Sequence, residues 1–347
     1  MIIKKLFLKN FRIYSEKEFF FDKKINVIYG PNGIGKTNII EAIYLCAFSK
    51  SFKNIKENDL INFSSDFFLI NLFYDDAFIE HNIKVTYTKY LGKKIFYDNE
   101  VISSLSDLLG KIYIILFEPD NINIVKDAPE YKRKFIDTYI SLYDREYFCS
   151  LKKYKKILKT RNFFLKEKKI NDKLFNIYTK KFINLAKEII LKRIEFINRF
   201  NSILHKIFSE NLLITFNYVN YKNITEKEEV EYVLNELSSN YMNEEIKLGY
   251  TCFGPHIDDL KIQINKRDAR FFASYGEQKF AAIILKLALF YFYKNYFNLL
   301  PILLLDDVFS ELDKKKKEYI INILNNCSQV ILTSTDEFNF DANYINL

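Results

Sequence analysis

Gly30-Pro31-Asn32-Gly33-Ile34-Gly35-Lys36-Thr37 fits the pattern G-x-x-x-x-G-K-[ST], between an apolar run and a helical one. Glycines at this spacing let successive backbone N–H groups close around phosphate oxygens. A helix opening at Asn38 adds the partial positive charge of its N-terminus. In that setting Lys36 reaches the β- and γ-phosphates of ATP and the Thr37 hydroxyl ligates Mg²⁺. Far downstream, Ile302-Leu303-Leu304-Leu305 ends in Asp306-Asp307. A carboxylate at the tip of a buried strand is what a second Mg²⁺ partner requires, and Asp306 takes that place. Asp307 is placed to accept a proton from the attacking water or to orient it, so it joins Lys36 as a candidate catalytic residue.

Ser274-Tyr275-Gly276-Glu277-Gln278 precedes that strand, and Ser310-Glu311-Leu312-Asp313 follows it. Ser274 ahead of Glu277 also fits a helix capping box. The order of P-loop, S-x-G-[EQ]-Q, aspartate-tipped strand and S-x-L-D loop resembles the ABC ATPases. That resemblance adds Ser274, Gly276, Glu277 and Asp313 to the nucleotide-contacting set of Gly30 through Asn38. It implies that Ser274 and Gly276 meet the γ-phosphate held by a second copy, giving an ATP-dependent homodimer.

These residues need elements to hold them. Ile25–Tyr29 has the β-branched content of a buried strand leading into the P-loop, and an apolar helix follows from Asn38. Residues 2–21 read as short strands broken near Asn10-Phe11-Arg12, and residues 69–101 as strands and hairpins with a turn at Tyr97–Glu100. Lys111–Phe117 reads as another buried strand. From about Pro119 to Leu237 helical spacing dominates, as in Leu151, Tyr154 and Leu158, with one aromatic strand at Leu212–Val219. Sheet character returns at Leu260–Ile264, Ile302–Leu305 and Val330–Leu332, with helices at Glu277–Phe297 and Lys314–Asn325. The expected fold class is α/β, with an ABC-type P-loop core (an SMC-like head) at 1–118 and 246–347. A mainly helical lobe at 119–245 splits that core.

With 49% hydrophobic residues the chain has ample core material and is not a disordered segment. A formal charge of +8 suits a polyanionic partner without singling one out. Cys46, Cys149, Cys252 and Cys327 form no C-x-x-C pair, so neither a disulfide framework nor a zinc site is indicated. The N-terminus opens on an alternating pattern rather than a signal peptide. The apolar stretch Ala281–Phe292 carries Lys286 and falls short of a membrane span. A cytoplasmic protein with no membrane association is expected.

Leu8-Lys-Asn-Phe-Arg-Ile-Tyr14 ahead of the P-loop is similar to the SMC-like branch of the ABC ATPases, which implies that Arg12 approaches the nucleotide phosphates. Three further stretches resemble the RecF family of recombination mediators. They are Ser49-Lys-Ser-Phe-Lys53; Phe117–Lys126 with Arg133-Lys-Phe-Ile-Asp137; and Gly254-Pro-His-Ile-Asp-Asp-Leu260. The resemblance covers the whole length. Ile257 departs from it, standing where members usually carry arginine. What the family implies is a slow, DNA-dependent ATPase of recombinational repair and replication restart. It would bind duplex, gapped or single-strand/double-strand junction DNA and dimerise on ATP, and with RecR and RecO it would assist the loading of RecA. Lys152, Lys153, Lys155, Lys156, Lys159 and Arg161, with Lys50 and Lys53, are candidate phosphate contacts. Glu118 and Asp120 are both candidates for the role a glutamine plays on Mg²⁺ in other ABC ATPases. An ABC transporter subunit is the lesser reading, because Leu332-Thr-Ser-Thr-Asp336 lacks the switch histidine. The alternative in the same branch is an SMC-like ATPase with a scaffolding or defence role on DNA.

Overall fold

The strands of this chain are of two kinds, short continuous apolar runs and longer alternating ones. The computed structural model describes residues 1–22, 24–53, 55–76, 79–208, 213–219, 227–309, 312–335 and 341–347. It begins with β1 (Ile2–Phe11), β2 (Tyr14–Phe20), β3 (Ile25–Tyr29), α1 (Lys36–Phe48), β4 (Phe67–Asp76), β5 (Ile79–Thr88), β6 (Gly92–Tyr97), β7 (Glu100–Val101), α2 (Leu105–Leu108) and β8 (Ile114–Phe117). Next come α3 (Asn123–Lys126), α4 (Pro129–Tyr143), α5 (Arg145–Lys166), α6 (Lys173–Ile203), β9 (Ile214–Tyr218), α7 (Lys227–Asn240), α8 (Met242–Leu248), β10 (Leu260–Ile264), β11 (Arg267–Asp268) and α9 (Ala269–Phe272). Then follow α10 (Tyr275–Phe297), β12 (Ile302–Leu305), α11 (Lys314–Leu324), β13 (Val330–Ser334) and β14 (Asn343–Asn346). Two compact units divide the chain, 1–121 with 289–347 and 122–288, and the boundary falls within α10.

In the first unit the apolar runs form a parallel sheet of order β14-β3-β13-β12-β8. Strands β8, β12 and β13 are buried at every position, as expected of parallel strands covered on both faces. The alternating runs form an antiparallel sheet of order β2-β1-β4-β5-β6-β7. Phe68, Ile70, Leu72 and Tyr74 of β4 are fully buried at every second position. A register shift between Ile3 and Lys5 changes the parity of β1, so that Ile3 and Leu6 both face the core. Asp98 and Asn99 take φ of +48° and +69°, the conformation a two-residue hairpin needs, where the sequence indicates a turn. A buried amide ties the two sheets together. The Gln329 side chain accepts from Ile3 N–H at 2.7 Å and donates to the Ile3 carbonyl at 2.8 Å. Within the parallel sheet, the buried Asn26 amide donates to the Val330 carbonyl at 3.3 Å and accepts from Asn343 at 2.9 Å.

Strand β8 is shorter than the run from Lys111 suggests, and Leu212 of the aromatic strand lies outside the described residues. β14 has no counterpart in the sequence expectation. α10 is longer than the stretch 281–292, and by length and composition alone could cross a membrane; 72% of its most apolar window is buried within the protein, as in a core helix. Lys286, at its centre, donates to the Tyr139 hydroxyl at 2.9 Å and lies 4.9 Å from that ring's centroid.

The second unit packs α4, α5, α6, α7 and α8 with a small sheet of order β11-β10-β9. Arg161, a candidate DNA contact by sequence, is fully buried. Its guanidinium pairs with Glu245 at 2.7 Å and donates to Thr251 at 2.6 Å. It lies 5.3 to 5.4 Å from the rings of Phe175, Phe182 and Phe253. A charge so enclosed cannot meet a phosphate, and that expectation is corrected. Glu245→Gln, leaving the guanidinium unpaired in this cage, is expected to cost about 3 kcal/mol of stability, whereas the apolar pair Arg161→Met with Glu245→Leu recovers most of it. Urea unfolding of both variants measures the difference.

Candidate nucleotide-binding site

β3 delivers the chain to Gly30 and α1 takes it up at Lys36, so the P-loop sits between a buried strand and a helix N-terminus. Gly33 and Gly35 adopt φ of +83° and +105°, values that side-chain-bearing residues rarely hold. The hairpin between β1 and β2 lies against Gly35, where the Tyr14 hydroxyl donates to the Gly35 carbonyl at 3.3 Å. The Lys36 ammonium donates to the carbonyls of Gly30 at 2.6 Å and Pro31 at 2.8 Å. Desolvation pushes its pKa down, and the charges of Asp307 and Asp306 oppose that shift.

The structure brings Thr37 and Asp306 together. The Thr37 hydroxyl donates to Asp306 Oδ1 at 2.9 Å across 269 positions of sequence. β12 places that carboxylate, lying between β8 and β13, and Asp306 N–H donates to the Phe117 carbonyl at 2.8 Å. Burial pushes the Asp306 pKa up, while hydrogen bonds from Thr333 and Thr37 and the nearby Lys53 charge act in the opposite direction. Thr333, which the sequence did not single out, donates to Asp306 Oδ1 at 2.8 Å and accepts the Asp307 N–H at 3.0 Å. Asp307 is exposed, with φ of +49°. A hydroxyl and a carboxylate side by side are hard oxygen donors that suit Mg²⁺. Among the described residues no group of three His, Cys, Asp or Glu could hold a metal.

Arg12 stands at the hairpin tip with φ of +55°. Its guanidinium forms a forked pair with Glu41 at 2.9 and 3.0 Å and donates to the Asp59 carbonyl at 3.0 Å. Glu41 is fully buried one turn beyond Thr37 and also accepts from the Ser51 hydroxyl. The Ser51 oxygen in turn accepts Lys53 N–H at 3.0 Å. Glu41 thus links Arg12 to the stretch Ser49–Lys53. Its only sequence signal is a charged residue on the apolar helix after the P-loop. Glu118, next after β8, accepts from the Asn121 amide at 3.1 Å, and Asp120 is exposed on the following turn.

Ser274, Gly276 and Glu277 belong to the second unit, at the start of α10. Glu277 accepts from both the N–H and the hydroxyl of Ser274 at 2.8 Å, which realises the capping box. Ser310 and Glu311 lie outside the described residues, as does Asp336. Asp313 caps α11, accepting the Lys316 N–H at 2.9 Å.

The remaining family-like stretches meet at Arg193, which carries no sequence signal beyond a basic residue on a helix. Its guanidinium is held by Asp137 at 3.0 Å and donates to the Pro255 carbonyl at 2.7 Å. Arg133 donates to the Asp258 carbonyl at 2.7 Å, and the Asp258 carboxylate accepts from Tyr218. A Cβ on Gly254 would stand 3.0 Å from both Phe182 and Tyr154. His256 donates from Nε2 to the Thr251 carbonyl at 3.2 Å, so Nδ1 is the acceptor for the Tyr154 hydroxyl at 2.7 Å. Both ring nitrogens serve packing. Ile257, where arginine is usual, is 45% exposed.

The profile of the RecF/RecN/SMC N terminal domain matches residues 2–343. The chain is 34% identical to the DNA replication and repair protein RecF of Clostridium acetobutylicum, over 96% of this chain and 93% of that one. It is 35% identical to the protein of the same name in Halothermothrix orenii, over 98% and 94%. A solved structure of the recombination mediator protein RecF-ATP in the RecFOR pathway superposes with a TM-score of 0.88 at 31% identity, covering 98% of this chain and 95% of the other. An SMC head bound to the winged-helix domain of ScpA superposes at 0.55 with 16% identity, over 97% and 90%, a likeness of fold. The expected α/β ABC-type architecture is thereby met.

Burial lowers the His256 pKa to about 4 from its ordinary 6.5. The unfolded chain therefore binds this proton first, and stability present above pH 6.5 is lost as pH falls toward 4. The loss is about 3 kcal/mol at most. Melting temperatures between pH 7 and pH 4.5 should fall more steeply for the wild type than for His256→Asn.

Proposed function

We propose, from the premise that this chain belongs to the RecF family within the RecF/RecN/SMC N-terminal domain group, that it is an ATP-dependent DNA-binding protein of replication and recombinational repair. The hydrogen bond from Thr37 to Asp306 carries the nucleotide part, because it joins the P-loop to the strand-tip carboxylate in one oxygen-donor pair. Gly30 through Asn38 would enclose the phosphates of ATP. Lys36 would exchange its two carbonyl partners for phosphate oxygens, and Thr37 with Asp306 would hold Mg²⁺. The metal supplies charge neutralisation at the β- and γ-oxygens. Asp307, exposed at the strand tip, would orient water and receive its proton, giving slow hydrolysis. Arg12 would contribute positive charge from the hairpin tip.

Gly276 supports an ATP-bridged dimer. Beyond its own helix, a Cβ there would meet no atom of the described residues within 4 Å, and its φ is not among the positive values. Its own fold therefore gives no steric reason for a residue that weakens a helix by up to about 1 kcal/mol relative to alanine. A glycine lets a second surface approach, and in this reading that surface is ATP held by a second copy. Ser274 and Glu277 would flank it, with Asp313 from the loop before α11. The core formed by 1–118 and 246–347 would handle nucleotide, and the lobe at 119–245 would carry DNA contacts, a partition by role rather than by packing. Lys152, Lys153, Lys155, Lys156 and Lys159 are all exposed on α5. They would meet the phosphates of duplex, gapped or junction DNA. RecR and RecO would be the partners and RecA loading the outcome, in the cytoplasm.

Sedimentation with ATP, Mg²⁺ and gapped duplex DNA tests the dimer. Wild type should double its mass only with ATP, while Lys36→Ala and Ser274→Arg stay monomeric. An ATP-independent mass with unchanged DNA affinity would sink this mechanism and leave the scaffolding reading. Asp307→Asn should keep the ATP dimer and lose about 100-fold or more in turnover, read by phosphate release. Alanine at Lys152, Lys156 and Lys159 should weaken DNA binding and lower its salt dependence by about one unit of slope per lost phosphate contact.

A further inference from the structure

A threonine hydroxyl has one hydrogen to give and two lone pairs with which to accept. At Thr333 both functions are engaged, and both partners belong to the strand tip of the candidate site. The hydrogen goes to Asp306 Oδ1 at 2.8 Å, and the oxygen accepts the Asp307 N–H at 3.0 Å. The arrangement follows from register. β13 pairs with β12 through Leu332 opposite Leu305, so the next residue of each strand brings Thr333 beside Asp306. Thr333 is 3% exposed, and β3 flanks β13 on the other side with Thr333 opposite Ile28. It has little freedom to turn away.

Each end of this contact does something different. Asp306 Oδ1 also accepts from Thr37 at 2.9 Å, so two hydroxyls from separate elements fix the plane of one carboxylate. Both use the same oxygen, and Oδ2 has no hydrogen bond among the described residues. Asp307 holds a left-handed φ of +49°, a conformation that costs an L-residue about 1 kcal/mol or more. The Asp307 N–H donated to Thr333 pins that turn, and with it the direction in which the exposed Asp307 carboxylate leaves the sheet.

We infer that Thr333 is a positioning residue for ATP hydrolysis, one hydroxyl that orients the metal-side carboxylate of Asp306 and fixes the backbone from which Asp307 addresses the water. This rests on the nucleotide reading above. Valine is nearly isosteric, but it removes the hydroxyl that accepts the Asp307 N–H and one of the two hydroxyl donors to Asp306 Oδ1. Serine keeps the hydroxyl.

The test compares Thr333→Val and Thr333→Ser with wild type, using Lys36→Ala as the inactive control. Thr333→Val should lower kcat about 10- to 100-fold with KM for ATP changed by less than about 3-fold, and Thr333→Ser should recover to within about 3-fold of wild type. A second readout does not need turnover. A fluorescent ATP analogue is titrated with Mg²⁺ and again with EDTA, and the ratio of the two Kd values is taken. Thr333→Val should lose several-fold of the Mg²⁺ preference and Thr333→Ser should keep it. Equal impairment of both variants alongside equally lowered melting temperatures would mean a packing role and overturn the inference, as would an unchanged kcat and Mg²⁺ ratio in Thr333→Val. If wild type binds the analogue but hydrolyses no ATP, the hydrolysis reading falls. The Mg²⁺ ratio then decides whether Thr333 orients Asp306: loss in the valine variant supports that role, and retention overturns it.

Discussion

The carboxylate of Asp306 is the constraint around which the first unit is arranged. It is 6% exposed, and a buried carboxylate without partners is costly. The carboxylate is bonded by Thr37 at the start of α1 and Thr333 on β13, while the backbone N–H of the same residue goes to the Phe117 carbonyl, so three places in the chain hold Asp306. To meet at one point, β12 must lie between β8 and β13, and β3 must end beside β13 so that α1 can begin over the same edge. The parallel sheet has that order. Its apolar runs supply the burial, and the polar residues at their ends determine where the strands stop.

The second unit has its own hub of opposite sign. Arg193 gathers Asp137, Pro255 and, through Tyr218, Asp258. Two of the family-like stretches are thus the inner shell of one buried guanidinium. Gly254 and His256 pack beside this hub, against Tyr154 and Phe182, without a ligand role. Ile257, between His256 and Asp258, is on the outside, and exchanging a charged residue for an apolar one there leaves the shell intact.

Local chemistry was legible in sequence, and long-range partnership was not. The P-loop needs neighbours only a few residues apart, so glycine spacing, strand and helix appear together in one window. Asp306 could be read because an apolar run announced a strand tip. Thr333, Glu41 and Arg193 have no such window, since their partners lie 10 or more positions away and most lie 25 or more, and each looks ordinary beside its own neighbours. β14 pairs through an edge where alternate residues are half-buried at most, which leaves no hydrophobic pattern to detect. Arg161 shows a signal present but overridden. It falls seven residues after Tyr154 and four before Leu165, on the same buried face of α5, yet it was grouped with lysines by charge instead of by helical phase.

Lys36 is solvated by its own loop, as the Gly30 and Pro31 carbonyls do for its ammonium what water would do elsewhere. Any ligand that recruits this lysine competes with two acceptors already at 2.6 and 2.8 Å. Its affinity is then the difference between two solvation shells, smaller than the sum of the contacts formed. Selectivity gains what affinity loses. A weakly charged ligand has little with which to displace a pair of carbonyls, whereas a polyphosphate has both the charge and the number of oxygens. In the proposed function the loop would act as an ion exchanger with a threshold, set by its own backbone before any ligand arrives.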